Sequence, residues 1–267
     1  MTEDTPRKLK DVKREYDEIS GIYDETGETF ESKQGQSFRL ELINKYLSEN
    51  KNIKILDAGG GTGRITLPLA GMGYQVTLCD LSTGMLDVAG EKLVKEGLPE
   101  KTEILVTDIS HLPFGDQTFD LVLCLASPLS LADSKKAAQE LARVLKTGGT
   151  IIVDGFGRYC LAMREFTRNP DLALKLVRSE LNYACDRHGD RGRVFTPEEL
   201  RELFEKNSIK TIEISGRFMD FIPVEVQEAK EWDEKLFSFV FEIKKCLSRE
   251  PSVIGMGEEL TLVGEKI

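Results

Sequence analysis

Short apolar runs alternate with helical patterns between about residue 52 and residue 156 of this chain of 267 residues. Each run is bounded by Gly, Asp, Asn or Pro, as is typical of strands that are buried in a parallel sheet. The alternation predicts an α/β fold with a doubly wound, mostly parallel sheet and right-handed crossovers. The predicted strands of this region are Ile53–Ala58, Gln75–Asp80, Glu103–Thr107, Phe119–Leu125 and Thr150–Asp154. The predicted helices between them are Arg64–Ala70, Thr83–Glu96 and Lys135–Leu145.

The C-terminal part of the chain adds one capped helix and two strands. Thr196 is a good N-cap, Pro197 suits the first helical position, and Glu199 lies in the first turn, so a helix is predicted to about Glu205. The strands Lys210–Ser215 and Leu260–Glu265 complete a predicted sheet of seven strands.

Two stretches, Phe156–Val194 and Phe221–Ser252, carry helical patterns and no predicted strand. The second has one apolar face with spacings of three and four residues, formed by Ala229, Trp232, Leu236, Phe239, Ile243 and Leu247. Such a face packs on the body of the domain, closes over a site as a lid, or joins two copies in a homodimer. The predicted organisation is a helical cap (1–50), an α/β domain (51–216 with 258–267), and helical insertions (157–194 and 217–257) that form a pocket or a lid.

The composition predicts a soluble cytoplasmic protein that does not bind nucleic acid. The chain has 46 Asp and Glu against 36 Lys and Arg, a net charge of −10, whereas phosphate backbones attract clustered Lys and Arg. The longest apolar run, Leu121–Ala126, is far too short to span a bilayer, and the charged first residues lack the apolar core of a secretory signal. Five widely spaced cysteines with no CxxC pair indicate reduced thiols.

A glycine turn, Gly59–Gly63, follows the first predicted strand and precedes a helix. Glycines at such a turn let a ligand approach the main-chain N–H groups. The dinucleotide fingerprint fails because Arg64 stands at its last glycine, and no Gly-Lys-Ser/Thr follows as in a P-loop. Asp57, two residues before the turn, would repel a pyrophosphate but suits a ligand with an ammonium group and a positive sulfur. A nicotinamide oxidoreductase is therefore disfavoured.

A second acid, Asp80, ends the next predicted strand, 23 residues after Asp57. Its carboxylate could accept hydrogen bonds from two ribose hydroxyls, as the acid of the second strand does in dinucleotide sites. The carboxyl ends of parallel strands meet at one edge of an open sheet, where ligands bind. Both acids are therefore expected at one binding site.

Asp57–Gly63 with Asp80 resembles the S-adenosylmethionine site of class I methyltransferases, in particular the small-molecule branch with the ubiquinone/menaquinone-type C-methyltransferases. The resemblance covers about residues 40–216 and the last strand, and it implies a Rossmann-like fold with S-adenosyl-L-methionine as the cofactor. The further matching segments are Val106–Ile109, Leu112–Phe114, Phe119–Val122, Leu141–Val153 and Phe195–Leu200.

The resemblance also implies which residues contact the cofactor. Asp57 would fix the glycine turn against the methionine part, Asp80 would bind the ribose, and Asp108 would accept from the adenine amino group. Leu81 and Ile109 would pack on the two faces of the adenine ring, and Leu125 and Ala126 would border the sulfonium. The predicted cofactor-binding residues are Asp57, Gly59, Gly61, Gly63, Asp80, Leu81, Met85, Asp108, Ile109, Leu125 and Ala126.

Methyl transfer is an in-line displacement, so it requires positioning and needs a general base only if the acceptor loses a proton. The candidates for such a base are His188, Asp154 and Tyr23, where Tyr23-Asp24 resembles a pair that covers the site in relatives. Asp154 and Arg158 are candidates for the acceptor pocket, and His111 is expected at the surface. Cys185 and His188 have no second pair with ligand spacing, so no metal site is predicted.

The sequence therefore predicts a methyltransferase that acts on a small-molecule acceptor, without identifying the acceptor or the atom methylated. Methyltransferases that act on base amines resemble one another in an Asn/Asp-Pro-Pro-Tyr box after the fourth strand. This chain has Ala126-Ser127-Pro128-Leu129 there, which disfavours a nucleic-acid acceptor. The alternative is a regulatory protein of the same fold that binds the cofactor without turnover.

Overall fold

The computed structural model describes residues 7–26, 30–166, 168–186, 189–217 and 234–267. Its strands are β1 (Lys54–Ala58), β2 (Gln75–Asp80), β3 (Thr102–Val106), β4 (Phe119–Cys124), β5 (Leu145–Gly157), β6 (Tyr183–Cys185), β7 (Arg191–Phe195), β8 (Ile209–Arg217) and β9 (Glu259–Lys266).

The α-helices cover both faces of the sheet and the edge at which its parallel strands end. They are α1 (Leu9–Ile19), α2 (Tyr23–Thr26), α3 (Phe30–Tyr46), α4 (Thr66–Gly71), α5 (Thr83–Lys95), α6 (Pro128–Leu131), α7 (Ser134–Val144), α8 (Arg158–Glu165), α9 (Pro170–Val177), α10 (Pro197–Glu205) and α11 (Glu234–Ser248). Short 3₁₀ turns lie at Ser20–Ile22, Pro99–Lys101 and Ile254–Met256. Among the described residues, none of the helices has the length and apolar character needed to cross a membrane.

The strands form the predicted doubly wound sheet. The order β3-β2-β1-β4-β5 is parallel throughout, β9 lies antiparallel beside β5, and β8 lies antiparallel beside β9. The seven predicted strands are all present, and β5 is longer than predicted because it begins at Leu145. The mostly parallel α/β fold class is therefore confirmed.

Apolar side chains on both faces of the sheet explain why the central strands are continuous apolar runs. Leu56 and Val122 point to a cluster with Leu141 of α7 and helix α10, whereas Ile55 and Leu121 point to a cluster with helix α3. Because successive side chains of a strand face opposite sides, both sides need apolar residues when helices cover both. Since helices cover both faces of the sheet, the loops that follow the carboxyl ends of its strands remain available to form a site.

The prediction of no strand within Phe156–Val194 is wrong. Strands β6 and β7 pair as an antiparallel hairpin, and β7 extends the sheet beside the end of β5 at Phe156 and Gly157. The pattern was not visible because β6 has only three residues and β7 carries two arginines, Arg191 and Arg193. An edge hairpin of this kind needs no apolar run.

The predicted apolar face of the C-terminal helical segment is not the face that α11 buries. Phe239 and Ile243 are 58% and 56% exposed, while Val240 and Ser248 are buried. Lys245 of this helix forms an ion pair with Glu41 of α3 at 2.6 Å. Ala229 and Trp232 lie outside the described residues, as does the side chain of Leu236.

Candidate cofactor and acceptor site

The glycine turn after β1 has a left-handed backbone at three positions. Gly59, Gly61 and Gly63 have φ values of +75°, +54° and +76°. A Cβ on Gly59 would lie 2.5 Å from Pro128, whereas a Cβ on Gly61 would meet no described atom within 4 Å. The turn therefore packs against the protein at Gly59 and leaves open space for a ligand at Gly61.

Asp57 ties this turn to helix α4. Its carboxylate is 2% exposed and accepts a 2.6 Å hydrogen bond from the Thr66 hydroxyl. Burial raises the pKa of Asp57 to about 6, with the negative charge of Asp80 acting in the same direction. Ionisation of this carboxyl group beneath the turn is therefore unfavourable, and a positively charged ligand would offset the free energy that burial of the charge requires.

Asp80 joins the turn to the loop after β2. Its Oδ2 accepts from the Gly61 N–H at 3.0 Å, and its Oδ1 accepts from the Ser82 N–H at 2.8 Å. Burial raises the pKa of Asp80, although these N–H donors oppose that effect. Each oxygen has a second lone pair, so the carboxylate can still accept from two hydroxyls.

A first cavity, which we call the inner pocket, has a volume of about 100 Å³ at the ends of β2 and β3. Helix α1 closes it with Leu9, Val12, Lys13 and Tyr16. Asp108 there accepts two 2.8 Å hydrogen bonds from Ser110 through one oxygen. The predicted residues that the structure brings together in this pocket are Gly59, Gly61, Asp80, Leu81, Met85, Asp108, Ile109 and Ala126.

A second cavity, the central cavity, has a volume of about 400 Å³ and lies beyond the glycine turn. Of the predicted residues, it includes Asp57, Leu125 and Tyr23, while Gly63 lines neither cavity. Among its described lining residues, five carboxylates face three guanidinium groups. The residues shared by both cavities are Tyr16, Tyr23, Gly59, Gly61, Ala126 and Leu131. The two cavities therefore form one cleft with an acidic lining.

Asp154 acts on this cleft through another residue. Its carboxylate is fully buried and lines neither cavity, and its Oδ2 accepts from the Ala126 N–H and from Arg39 Nε, both at 2.9 Å. Oδ1 accepts from the Thr261 hydroxyl at 2.6 Å. Ala126 has a left-handed backbone, with φ of 63°, so Asp154 positions a strained loop at the junction of the cavities.

The sequence did not reveal the buried charges beside Asp154. Glu259 accepts from Arg39 and from Arg217, whose Nε lies 2.9 Å away. Burial alone would raise the pKa of Glu259, but Arg217 and Arg39 outweigh it and lower the pKa to about 2. Arg39, Arg217 and Glu259 form one end of the central cavity. The partners of Glu259 lie up to 220 positions away, so no local pattern could have shown them.

Tyr16 is a further residue that the sequence did not reveal. Its hydroxyl donates to Asp190 Oδ2 at 2.8 Å, and Arg7 donates to the other oxygen of Asp190 at 2.7 Å. Burial and then the charge of Asp190 raise the pKa of Tyr16 well above its usual value. Tyr16 is thus a neutral phenol at the junction of the two cavities. Its position seven residues before Tyr23, in a second Tyr-Asp pair, was the available signal.

The pair Tyr23-Asp24 lies over the glycine turn. Asp24 accepts from Thr62 Oγ1 at 2.7 Å, from Arg64 Nε at 2.9 Å and from Lys92 Nζ at 2.7 Å. The Arg64 guanidinium also stacks on the Tyr23 ring at 4.8 Å. These contacts fasten the cap to the turn and keep Tyr23 in the cleft.

Comparison with known proteins identifies the family. Residues 56–153 match the family described as "Methyltransferase domain". The chain is 30% identical to a demethylmenaquinone methyltransferase of Clavibacter sepedonicus over 181 residues, which are 68% of this chain and 71% of that protein. This chain belongs to the S-adenosylmethionine-dependent methyltransferases.

A second relative and two solved structures extend the comparison of this methyltransferase. A ubiquinone/menaquinone biosynthesis C-methyltransferase of Hydrogenovibrio crunogenus is 31% identical over 159 residues, covering 57% of this chain and 60% of that protein. The [4+2]-cyclase SpnF has a TM-score of 0.64 at 18% identity over 99% of both chains. A geranyl diphosphate methyltransferase in complex with S-adenosylmethionine has a TM-score of 0.58 at 14% identity, covering 86% of this chain and 85% of that chain. The structures show a shared fold.

The residues of this methyltransferase fit its cofactor. Gly61 leaves room beside the main chain, and Asp80 presents free lone pairs to the inner pocket. The excess of carboxylates in the central cavity suits a sulfonium. None of these findings favours the alternative of a regulatory protein without turnover.

One predicted acceptor-pocket residue of the methyltransferase lies away from the cleft, and one candidate base lies outside the described residues. Arg158 is fully buried, lines neither cavity, and donates to Glu199 at 2.8 Å and to Asn182 at 3.1 Å, so its prediction as a pocket residue is wrong. It joins α8 to α10 and to the β6–β7 hairpin. His188 lies outside the described residues. His111 is at the surface, with its side chain 71% exposed.

Proposed function

We propose that this methyltransferase methylates a small molecule held in the central cavity. The observation that carries the proposal is that the inner pocket and the central cavity share Gly59, Gly61 and Ala126 as walls. A ligand that follows the glycine turn from the inner pocket therefore ends at the boundary of the larger cavity. An acceptor held there would meet the methyl end of the cofactor, and displacement requires the two to be aligned.

Each cofactor contact has a proposed role in this chain. Bound S-adenosylmethionine supplies an activated methyl group on a positive sulfur. Asp80 accepts from the ribose hydroxyls, while Leu81 and Ile109 enclose the adenine ring. Asp108 accepts from the adenine amino group through the oxygen that Ser110 leaves unoccupied. Asp57 holds the glycine turn in the shape that receives the methionine part.

The acceptor side is supported by the residues at the junction. Tyr16 and Tyr23 exclude water from the shared boundary, and Leu125 and Leu131 add apolar surface. Tyr16 already donates to Asp190, so its oxygen is free to accept a hydrogen bond from an acceptor hydroxyl or amine. Asp154 keeps the loop of Ala126 in place. The demethylmenaquinone named for the relative from Clavibacter is a first acceptor to assay.

Calorimetric titration with S-adenosylhomocysteine tests the cofactor half. We expect saturable binding by the wild type and a loss of at least about tenfold in Asp80→Ala, because a charged acceptor of two hydrogen bonds is removed. Asp120→Ala is the matched control, since Asp120 accepts from the Lys54 N–H at the opposite end of β4.

The possible results of this titration separate the claims. No binding by the wild type would contradict the proposed function, whereas undiminished binding by Asp80→Ala would remove only the ribose assignment. Methyl transfer from labelled S-adenosylmethionine to a panel of quinols, phenols and amines, each with and without a phosphate group, then tests the acceptor half. Binding without transfer to any member would favour the regulatory alternative.

The remaining predictions about the whole protein are also proposals. We propose a cytoplasmic location, which the five free cysteines support, and no nucleic-acid partner, which the charge of −10 supports. The division into a cap, an α/β domain and two insertions is retained in the boundaries predicted from the sequence. Sedimentation velocity tests the predicted homodimer, which the exposed Phe239 and Ile243 of α11 support.

A further inference from the structure

A third cavity, the outer pocket, lies where the start of α1, the α6–α7 junction and the β6–β7 hairpin meet. Its volume is about 360 Å³, and it shares Leu131 with the inner pocket and the central cavity. The residues that line it are Arg7, Leu9, Leu131, Ala132, Asp133, Ser134, Lys135, Tyr183 and Arg193. The cofactor contacts proposed above leave this pocket without a role.

The lining of the outer pocket is net positive, whereas the whole chain is net negative. Its described lining has three cations, Arg7, Lys135 and Arg193, and one carboxylate, Asp133. Asp133 is already engaged, because it caps α7 through the Lys136 N–H at 3.3 Å and faces Lys136 Nζ at 3.6 Å. In a protein of net charge −10, such a lining concentrates positive potential at one place.

Two of the three cations are available to a ligand. Arg7 is paired with Glu15 and Asp190. Arg193 stacks over the Phe195 ring at 4.9 Å, and Lys135 is exposed. Within the part of the chain that the structure describes, neither Lys135 nor Arg193 forms an ion pair with a carboxylate. An anionic ligand would therefore not have to displace a protein partner.

Ser134 gives an independent sign of a ligand in the outer pocket. The residue is 4% exposed, and its hydroxyl has no hydrogen-bond partner among the described residues. Buried hydroxyls without a partner are uncommon in folded proteins. Ser134 is also the first residue of α7, a helix of 11 residues whose N-terminus favours an anion.

We propose that the outer pocket binds a phosphate group of the methyl acceptor, an inference that rests on the proposed function. A dianion with several oxygens matches Lys135 and Arg193 together with the Ser134 hydroxyl, whereas a carboxylate has fewer oxygens and one charge. Because Leu131 borders all three cavities, a phosphate held here lets the rest of the acceptor extend toward the boundary shared by Tyr16 and Ala126.

Calorimetric titration of the wild type with inorganic phosphate, at constant ionic strength and with acetate in a parallel series, tests the proposal. We expect saturable binding of phosphate and none of acetate. Arg193→Gln is expected to weaken phosphate binding about tenfold and Ser134→Ala about threefold, as the loss of a charged and of a neutral hydrogen bond implies. Arg201→Gln is the matched control, since Arg201 is exposed on α10 and lines no described pocket.

Several outcomes would overturn the phosphate site. They are the absence of saturable binding by the wild type, equal affinity for acetate, or equal weakening by Arg193→Gln and Arg201→Gln. Thermal unfolding and S-adenosylhomocysteine affinity check that each variant is folded. Phosphate is titrated both with and without S-adenosylhomocysteine, so a failure of cofactor binding is recorded separately from a failure of the outer pocket.

Discussion

The ionisation of the buried side chain of Asp57 makes the stability of the folded protein depend on pH. Its pKa is raised from 3.8 to about 6, so the folded protein binds this proton more tightly than the unfolded chain does. The wild type therefore loses stability from this group as the pH rises from about 4 to about 6. The difference in pKa corresponds to about 3 kcal/mol.

Asp57→Asn is expected to remove this dependence, because an amide does not ionise but still accepts from Thr66. The free energy of unfolding of the variant relative to the wild type should increase by about 3 kcal/mol between about pH 4 and pH 7. Urea denaturation of both proteins across that range measures the difference. A difference that does not change with pH would mean that the pKa of Asp57 is the same in the folded and the unfolded protein.

Helix α1 is fastened to the sheet domain through Asp17. Its Oδ1 accepts from the Ser82 hydroxyl at 2.6 Å and from the Gly84 N–H at 3.0 Å, both at the start of α5. Burial acts to raise the pKa of Asp17, but hydrogen bonds from Lys13, Ser82 and Gly84 lower it to about 2. The contact is therefore fully present above about pH 4 and is lost as the pH falls through about 2.

Asp17→Ala is expected to loosen α1 while the sheet domain stays folded, because it removes the acceptor of both hydrogen bonds. Amide hydrogens of residues 9–19 should exchange several-fold faster at neutral pH, whereas those of β1 and β4 should not change, because local opening can occur below the global free energy. Hydrogen exchange with mass spectrometry measures both. Asp11→Ala is the matched control on the same helix, because Asp11 faces Arg14 at 3.6 Å rather than α5. Equal exchange in both variants would exclude the role of Asp17.

The elements that could be predicted are those that depend on residues close together in the sequence. Helix α10 begins with the predicted capping box, in which Thr196 and Glu199 bond each other's backbone. The hairpin β6–β7 could not be predicted, because its pairing depends on the end of β5 rather than on its own apolar residues. The buried face of α11 was also missed, since Phe239 and Ile243 of the predicted apolar face point outward while Val240 is buried.

Two buried carboxylates and two partly buried arginines connect distant parts of the whole molecule. Arg39 of α3 and Arg217 of β8 contact Glu259 of β9, and Arg39 also contacts Asp154 of β5. The pKa of Glu259 is lowered to about 2, so its contribution to stability is present above about pH 4.5 and is lost as the pH falls through about 2.

Glu259→Gln is expected to destabilise the whole fold by about 2–4 kcal/mol at neutral pH, because it leaves two partly buried guanidinium groups with too little negative charge. Chemical denaturation measures the loss. Glu202→Gln is the control, since Glu202 faces Lys206 at 3.3 Å in an exposed pair on α10. A loss below about 1 kcal/mol would show that the arginines find other partners.

Separation along the sequence explains which residues of the site could be predicted. Asp57 and Asp80 were predicted from the ends of two successive strands, 23 residues apart, and both border the cleft. Arg39 and Glu259 meet only because α3 and β9 fold onto the same sheet. Asp154 was a candidate from its place at a strand end, but its three hydrogen bonds depend on residues that only the tertiary fold brings near it.

The two cavities of the cleft come from different stretches of the chain, and this has an evolutionary consequence. The inner pocket is built mainly on the ends of β2 and β3, whereas the far end of the central cavity is built by α3, the β6–β7 hairpin, β8 and β9. Under the proposed function, mutations in the second set change the substrate range while the first set is inherited intact. Descendants of this chain could thus acquire new acceptors without losing their methyl donor, and an engineer could follow the same route by exchanging the hairpin while keeping Asp190, which holds Tyr16 of α1.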